Sequence, residues 1–206
     1  MKITKYMTGP IQVNTYLVYD EETKKGFIVD PGGYEPRITA QIKDEAVELE
    51  YIILTHGHGD HIGGVEAFKK DFPAAKIVAL RAEDKMLHDP EANCSIEMFR
   101  KAIMIDAEIT VEDGDLLEVG NMELKFIATP GHTEGGMCIY TGKTLFSGDT
   151  LFCRSIGRTD FPGGSFSDII NSIKTKLFIL PDDTVVLPGH MGKTTIGEEK
   201  RGNPFV

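Results

Sequence analysis

The sequence predicts an α/β fold of the α+β kind, in which two packed β-sheets carry helices on their outer faces. Short apolar runs rich in β-branched residues alternate with stretches of helical periodicity along the 206 residues. The chain also contains a weak internal repeat, because each half consists in order of a hairpin, an aspartate, a helix, a strand and a histidine. Two such halves facing each other would bring both sets of strand ends to one edge.

The first half of the chain predicts four strands and three helices. The strands lie at 14–19, 26–30, 51–55 and 76–80, and the helices at 36–49, 65–72 and 82–105. Apolar residues at helical spacing, with Pro36 near the start, predict the first helix, and Pro73 ends the second. The acidic segment 82–105 is expected to be mainly helical and to form a lid, an insertion or a dimer contact.

The second half predicts mostly strands, at 116–119, 122–128, 137–141, 144–148 and 184–187. The third and fourth of these are joined by the tight turn Gly142-Lys143, which is typical of a hairpin. One helix is expected at about 167–178, and a short polar tail closes the chain.

The length fits one large domain or two small ones, and the composition predicts a partner that is neither nucleic acid nor a membrane. The formal net charge is −10 and no basic block occurs, whereas either partner requires a cationic face. No run approaches the roughly 20 apolar residues of a membrane span. The three cysteines are odd in number and lack C-x-x-C spacing, which favours a reducing cytoplasm over a disulfide framework. The oligomeric state is left open.

The strongest functional signal is a histidine cluster directly after the apolar run 51–54. Residues 55–61 read Thr-His-Gly-His-Gly-Asp-His, so four potential metal ligands fall within six positions. Three imidazoles on a glycine-punctuated turn make poor core packing, but they are suitable nitrogen ligands for a divalent cation. His132 and His190 each follow a β-rich run and a Pro-Gly turn, so both are expected at strand ends. His88 lies in an acidic stretch and is expected to be a solvated residue that touches nothing.

These residues occur in the order His56, His58, Asp60, His61, His132, Asp149 and His190, with further motifs at 29–33 and 146–152. In this order they resemble the metallo-β-lactamase fold over nearly the whole chain. The resemblance implies a single domain, 1–206, built as a four-layer αββα sandwich with a two-metal site at one edge of the sheets. It assigns His56, His58 and His132 to metal one, Asp60, His61 and His190 to metal two, and Asp149 as the bridge.

The resemblance also implies the chemistry of this site. The expected cofactors are two divalent ions, zinc first, with iron or manganese as alternatives. Two ions about 3.5–4 Å apart lower the pKa of a bridging water from 15.7 towards about 7, which provides hydroxide at neutral pH. With that hydroxide and the catalytic carboxylates Asp60 and Asp149, the net charge is about +1, which favours a single developing oxyanion as in acyl transfer.

The segment 148–164 resembles glyoxalase II and its short bacterial relatives, the hydroxyacylglutathione hydrolase-like proteins. The implied activity is hydrolysis of a small-molecule thioester, with Arg158 meeting the thiol part of the substrate. Arg158 is equally expected to pair with Asp160 and brace its loop. Only sixteen residues follow His190, whereas full glyoxalase II has a C-terminal helical domain that supplies much of its glutathione-binding surface. The identity of the thiol is therefore left open.

Thioester hydrolysis is not the only activity that these motifs allow. The run 154–161 also resembles iron-dependent persulfide dioxygenases of this fold, which use one iron on two histidines and an aspartate, matching His56, His132 and Asp149. True β-lactamases of the family usually carry Arg at the position of His61 or Cys at that of Asp149, and this chain does neither. A metal-stabilised binding module without turnover is disfavoured by the intact ligand set.

Overall fold

The computed structural model describes residues 1–206 and contains fourteen strands and seven α-helices. The first six strands are β1 (Lys2–Thr8), β2 (Val13–Tyr19), β3 (Lys25–Val29), β4 (Glu48–Ile53), β5 (Lys76–Leu80) and β6 (Ile109–Val111). The others are β7 (Leu116–Val119), β8 (Met122–Ala128), β9 (Met137–Thr141), β10 (Thr144–Gly148), β11 (Leu151–Phe152), β12 (Ser155–Ile156), β13 (Val185–Pro188) and β14 (Thr194–Thr195). The helices are α1 (Pro36–Asp44), α2 (Gly59–Ile62), α3 (Val65–Asp71), α4 (Asp84–Leu87), α5 (Ser95–Phe99), α6 (Phe166–Ser172) and α7 (Ile196–Gly202).

The strands form two six-stranded sheets and one small ribbon. The strand order is β1-β2-β3-β4-β5-β6 in the first sheet and β14-β13-β10-β9-β8-β7 in the second, while β11 and β12 pair alone. In the first sheet the β2–β3 hairpin is followed, through α1, by β4 parallel to β3. In the second sheet the β9–β10 hairpin is followed, through α6, by β13 parallel to β10. The weak internal repeat of the sequence therefore corresponds to a repeated topology.

The hydrophobic core consists of three clusters of buried side chains. Side chains from both sheets, such as Phe27 and Phe146, fill the space between them. Ile38 of α1 and Phe68 of α3 cover the outer face of the first sheet, and Ile169 of α6 covers that of the second. The order of layers is helix, sheet, sheet, helix, which confirms the predicted αββα sandwich. No helix is both long and apolar enough to cross a membrane.

Two predicted helices are shorter than expected. α1 ends at Asp44 rather than 49, since Ala46 takes a left-handed conformation (φ 53°) and the chain turns directly into β4. The segment 82–105 holds only the short helices α4 and α5, preceded by a 3₁₀ turn at Arg81–Glu83. The side chain of Asp89 accepts hydrogen bonds from two following backbone amides, and Cys94 has a φ of 61°, so local turn chemistry overrides helical periodicity here.

Several elements were not predicted from the sequence. These are β1, β6, the short strands β11, β12 and β14, and the helix α7 in what was expected to be a polar tail. Thr195 caps α7 by accepting a hydrogen bond from the backbone amide of Glu198. Glu199 anchors the helix, because its buried carboxylate accepts hydrogen bonds from Thr194, Asn203 and the backbone of Arg154. A helix held by polar contacts lacks the apolar periodicity that sequence analysis detects. The predicted helix at 167–178 is α6, continued by a π-helical turn at Ile173–Leu177.

Candidate metal centre

The candidate site lies at the edge where the parallel strands of both sheets end. His56 and His58 follow β4, and the single turn α2 carries Asp60 and His61. These side chains are buried beneath the loops around them, with His61 fully inaccessible to solvent. The first half of the chain therefore delivers four potential metal ligands to one point.

The second half of the chain supplies the remaining candidate ligands. His132 lies in the loop between β8 and β9, Asp149 follows β10, and His190 follows β13. Gly189 allows this approach, since a Cβ atom there would lie 2.4 Å from Oδ1 of Asp149 and 2.7 Å from Cε1 of His61. Gly148 has a φ of 46°, which turns the chain at the end of β10 immediately before Asp149.

The seven candidate ligands converge into three overlapping groups. These are His56, His58 and His132; His56, His61 and Asp149; and Asp60, His61 and His190, and the ligand atoms within each group lie within 4.8 Å of one another. The structure thus brings together all seven residues that the sequence predicts as ligands.

The distances between donor atoms match those around a bound ion. Four donors at 2.0–2.1 Å in a tetrahedral site are separated from each other by about 3.3 Å. Nε2 of His61 lies 3.4 Å from Oδ2 of Asp60, and Nε2 of His190 lies 3.1 Å from that same oxygen. Nδ1 of His58 lies 2.9 Å from Nε2 of His132. The donor atoms are therefore spaced to share a cation.

Asp149 lies between the two predicted ligand sets. Its Oδ1 atom is 3.4 Å from Nε2 of His61, in one set. Its Oδ2 atom is 3.6 Å from Nε2 of His132, in the other set, and 3.7 Å from Nε2 of His190, in the same set as His61. This position is suited to a carboxylate that bridges two ions.

Neighbouring groups fix the orientation of three imidazoles. Nδ1 of His61 donates to Asp30 at 2.9 Å, and Nδ1 of His132 donates to the backbone carbonyl of Arg158 at 2.7 Å. Nδ1 of His56 lies 3.1 Å from Oγ1 of Thr55, which in turn donates to Asp30 at 2.6 Å. Because the Nδ1 atoms are occupied, the Nε2 lone pairs face the cluster, as in most histidine metal sites.

Three buried atoms at the centre of the cluster have no hydrogen-bond partner. They are Nε2 of His56, Nε2 of His61 and Oδ1 of Asp149. Buried polar atoms are almost always paired, because an unpaired one costs the full desolvation free energy. Nitrogen and carboxylate donors left unpaired in this way fit divalent metal ions of the zinc or iron type.

The pKa shifts of these groups follow from burial and from their neighbours. Burial lowers the pKa of His56 well below its ordinary value, and burial with the nearby His132 lowers the pKa of His58 to about 3. Burial opposes ionisation of Asp149, but the adjacent imidazoles, His61 first, hold its pKa below the ordinary value. Neutral imidazole and ionised carboxylate are the forms that bind metal.

His61 differs from the other imidazoles in its protonation. Burial favours its neutral form, yet the three surrounding carboxylates, Asp60 first and then Asp149 and Asp30, raise its pKa well above the ordinary value. Burial likewise opposes ionisation of Asp60, while His61 and His190 hold its pKa below the ordinary value. A metal that binds to His61 therefore displaces a proton.

Two residues that support the site were not recognised from the sequence. Asp30, in the motif at 29–33, accepts hydrogen bonds from the amide and hydroxyl of Thr55 and from His61. Glu83 is buried and accepts hydrogen bonds from the amides of Gly57 and Gly135 and from the hydroxyl of Thr133. It therefore ties the His56–His58 turn to the loop of His132. Glu83 has no local signal, because its partners are 26 and 52 residues away.

Arg158 and His88 occupy contrasting positions. Arg158 lines the cavity in front of the candidate ligands, and Nε and Nη2 of its guanidinium each donate to Asp160 at 2.7 Å. The predicted loop-bracing pair is therefore present. His88 is exposed and outside the site, as predicted, but the expectation that it touches nothing is wrong, since its ring nitrogens contact the carbonyl of Asp84 and the carboxylate of Asp106.

The chain is similar to several known proteins over almost its full length. GloC of Haemophilus influenzae, a hydroxyacylglutathione hydrolase, is 37% identical over 199 residues, which cover 95% of this chain and 93% of that protein. The crystal structure of BLEG-1, named a B3 metallo-beta-lactamase, matches with a TM-score of 0.91 and 36% identity, and covers 99% of both chains.

Two further crystal structures match at 30% identity. ETHE1 from Myxococcus xanthus has a TM-score of 0.81 and covers 99% of this chain and 84% of that one. TTHA1623 in a di-iron-bound form has a TM-score of 0.85 and covers 98% of this chain and 100% of that one. A sequence profile of the metallo-beta-lactamase superfamily matches residues 8–190. The chain therefore belongs to the metallo-beta-lactamase superfamily.

Proposed function

We propose that this protein is a hydrolase of thioesters that works with two divalent metal ions, most readily zinc. The observation that carries the proposal is the position of Asp149, whose carboxylate lies 3.4–3.7 Å from His61 and His190 of one ligand set and from His132 of the other. The second ligand group, Asp60, His61 and His190, would have no role in a site built for one ion. The di-iron form of TTHA1623 supports two ions in this fold and keeps iron as an alternative metal.

The ions would be held by His56, His58, Asp60, His61, His132, Asp149 and His190, and would supply Lewis acidity and a water of lowered pKa. Asp149 would hold both ions in position. Asp60 directs Oδ2 towards His61 and His190, so its other oxygen is the group proposed to orient the attacking water and accept its proton. With every imidazole in its neutral, metal-binding form, the two ions would leave the site with a positive charge, which suits the oxyanion formed when a thioester carbonyl is attacked.

The proposed substrate approaches through the cavity lined by Arg158. This cavity also contains His58, Asp60, His132, Asp149 and His190, so a bound carbonyl group can reach the metal ligands directly. The similarity to GloC supports a thioester as the bond that is cleaved. We propose that Arg158 contacts the thiol part of this substrate.

A persulfide dioxygenase activity is the second candidate, favoured by the similarity to ETHE1 across nearly the whole chain. That reaction needs one iron, for which His56, His132 and Asp149 are the proposed ligands. The similarity to BLEG-1 also makes β-lactams candidate substrates. Against this, the chain has neither Arg at position 61 nor Cys at position 149.

One preparation, loaded separately with zinc and with iron, distinguishes these activities. It is offered S-lactoylglutathione, the diethyl ester of that thioester, glutathione persulfide and a chromogenic cephalosporin. We expect thiol release from a thioester, and its loss in Asp149→Asn. Rapid oxygen uptake by the iron form, with negligible thioester cleavage by either form, would overturn the proposal in favour of the dioxygenase. Cephalosporin cleavage alone would make the protein a β-lactamase.

We propose that the enzyme works in the cytoplasm. Cys94, Cys138 and Cys153 are all free thiols, which is the state that a reducing compartment maintains. Detection of a disulfide in protein isolated from its native cells under thiol-blocking conditions would contradict this assignment.

A further inference from the structure

The cavity in front of the metal ligands has a mostly apolar wall. Its volume is about 420 Å³, which is within the range of a small-molecule site. Apart from the candidate ligands, the apolar residues that line it are Ile11, Met98, Phe152, Ile156, Phe161 and Met191. Ile11 and Met191 are about half exposed at its rim, 51% and 57% respectively, so a substrate would cover them on binding. Flexible methionine side chains can adapt to apolar groups of different shape.

The cavity has only one cationic side chain, and that side chain already has a partner. Arg158 is the single Lys or Arg among the lining residues. Both oxygens of Asp160 accept hydrogen bonds from its guanidinium, which also lies 3.9 Å from the centre of the Phe161 ring. The Arg158–Asp160 pair has no net charge, and a substrate carboxylate that approached it would also meet Asp160. The formal net charge of −10 for the whole chain adds no attraction for an anion.

Resting on the proposed thioester hydrolysis, we propose that the thiol part of the natural substrate is uncharged and partly apolar, rather than a polyanion such as glutathione or coenzyme A. The ions proposed at the metal ligands would face the thioester carbonyl, so they would not serve as partners for the thiol part. A carboxylate or phosphate on that part therefore loses hydration that only another free cation or several donors can replace. An uncharged group gains from burial against Ile11, Met98 and Met191. These three side chains are the proposed specificity determinants.

The test compares two N-acetylated thioesters, one charged and one neutral at the thiol part. N-Acetyl-S-lactoylglutathione has two carboxylates and no ammonium group, so it is a dianion. Its diethyl ester is neutral, gains two ethyl groups, and keeps the same skeleton and the same scissile bond. We expect kcat/KM for the diester to be about tenfold higher or more, a ratio typical of discrimination by a hydrophobic pocket. Equal values, or a preference for the dianion, would overturn the inference while leaving thioester hydrolysis intact. Failure to cleave either thioester would instead remove the proposed function.

A charge introduced at the rim should change this preference. In Ile11→Lys a cation faces the cavity, so we expect the diester preference to fall by about threefold or more as the dianion gains a partner. Ile179→Lys is the matched control, since Ile179 is 75% exposed, is not a lining residue, and precedes β13 at the end remote from His190. The control should keep the wild-type ratio. The same ratio in both variants would show that Ile11 does not contact the thiol part and would overturn its assignment.

Discussion

Asp30 accepts a hydrogen bond from Nδ1 of His61 at 2.9 Å, and this contact fixes which nitrogen of the imidazole faces the metal centre. The same carboxylate binds the amide and hydroxyl of Thr55, the residue directly before His56. Asp30 is buried and has a φ of 49°, a conformation that Asp and Asn tolerate better than most residues. One side chain thus aligns ligands proposed for both ions.

We expect Asp30→Asn to weaken metal binding by roughly 10–100-fold, the usual effect of removing a partner of a ligating histidine. The asparagine keeps the size and the backbone preference of aspartate, but its neutral amide is a weaker acceptor for His61. Competition with a chromogenic chelator measures the affinity. Asp183→Asn is the control, because Asp183 is exposed and pairs only with Lys143. Unchanged affinity in Asp30→Asn would show that Asp30 does not act through His61.

Glu83→Gln should lower the free energy of unfolding by about 1–3 kcal/mol, because a buried donor then loses its acceptor. The amide NH₂ group of glutamine cannot accept from Gly57, or from Gly135 and Thr133, so one loop of the site is released. Urea denaturation measures the change. Glu134→Gln is the matched control, since Glu134 is exposed one residue away from Thr133. A loss no larger than that of the control would refute the role assigned to Glu83.

This effect of Glu83 should depend on pH. Burial raises the pKa of Glu83 above its ordinary value of 4.5, although three hydrogen bonds oppose the shift. The folded protein therefore holds the proton more tightly than the unfolded chain does, and the resulting stabilisation is complete below about pH 4.5 and lost as the pH rises through the raised pKa. Glutamine does not ionise. The stability difference between the metal-free wild type and metal-free Glu83→Gln should thus be largest near pH 4 and shrink towards pH 7; a difference that grows with pH would contradict this account.

Asp149→Asn should reduce activity by more than about a hundredfold, because even partners of metal ligands are worth roughly 10–100-fold. His88→Ala should change activity by less than about twofold and stability by less than about 0.5 kcal/mol, since its contacts are with exposed groups. Steady-state rates at saturating metal, with circular dichroism to check folding, provide the comparison. Similar losses in the two variants would mean that the ligand assignment is incorrect.

Arg158→Ala should raise KM by about threefold to tenfold with little change in kcat, if Arg158 donates a hydrogen bond to the thiol part of the substrate in ground and transition states alike. The contact of its backbone carbonyl with His132 persists in this variant. Asp160→Asn distinguishes substrate binding by Arg158 from its role in bracing the loop, because this variant weakens the ion pair but leaves the guanidinium in place. We expect no increase in KM there. An equal increase in both variants, or a collapse of kcat in Arg158→Ala, would assign Arg158 to the organisation of the loop.

Much of the fold and of the candidate site was predictable from the sequence, for local physical reasons. Apolar strands that are followed closely by Asp or His, as at Asp149 and His190, predict both the sheets and the edge where the site lies. The dense cluster at 55–61 predicted the point where ligands meet. These signals are strong because each is contained within a few residues.

What the sequence did not reveal depends on contacts between distant segments. Glu83 serves the site through Gly57 and Gly135, and nothing near it in sequence indicates that its carboxylate is buried. The helix α7 is held by the polar contacts of Glu199, so its sequence predicts a polar tail rather than a helix. Residues 82–105 carry helical periodicity, yet the turn at Asp89 and the left-handed Cys94 interrupt it.

The metal content of the wild-type protein tests the central claim most directly. Protein purified without chelators, and then loaded in turn with zinc, iron and manganese, is analysed by inductively coupled plasma mass spectrometry against protein concentration from amino-acid analysis. The convergence of all seven ligands, with Asp149 between the two sets, leads us to expect two ions per chain. A ratio that stays near one with every metal would contradict the binuclear site and, with it, the two-metal route to thioester hydrolysis.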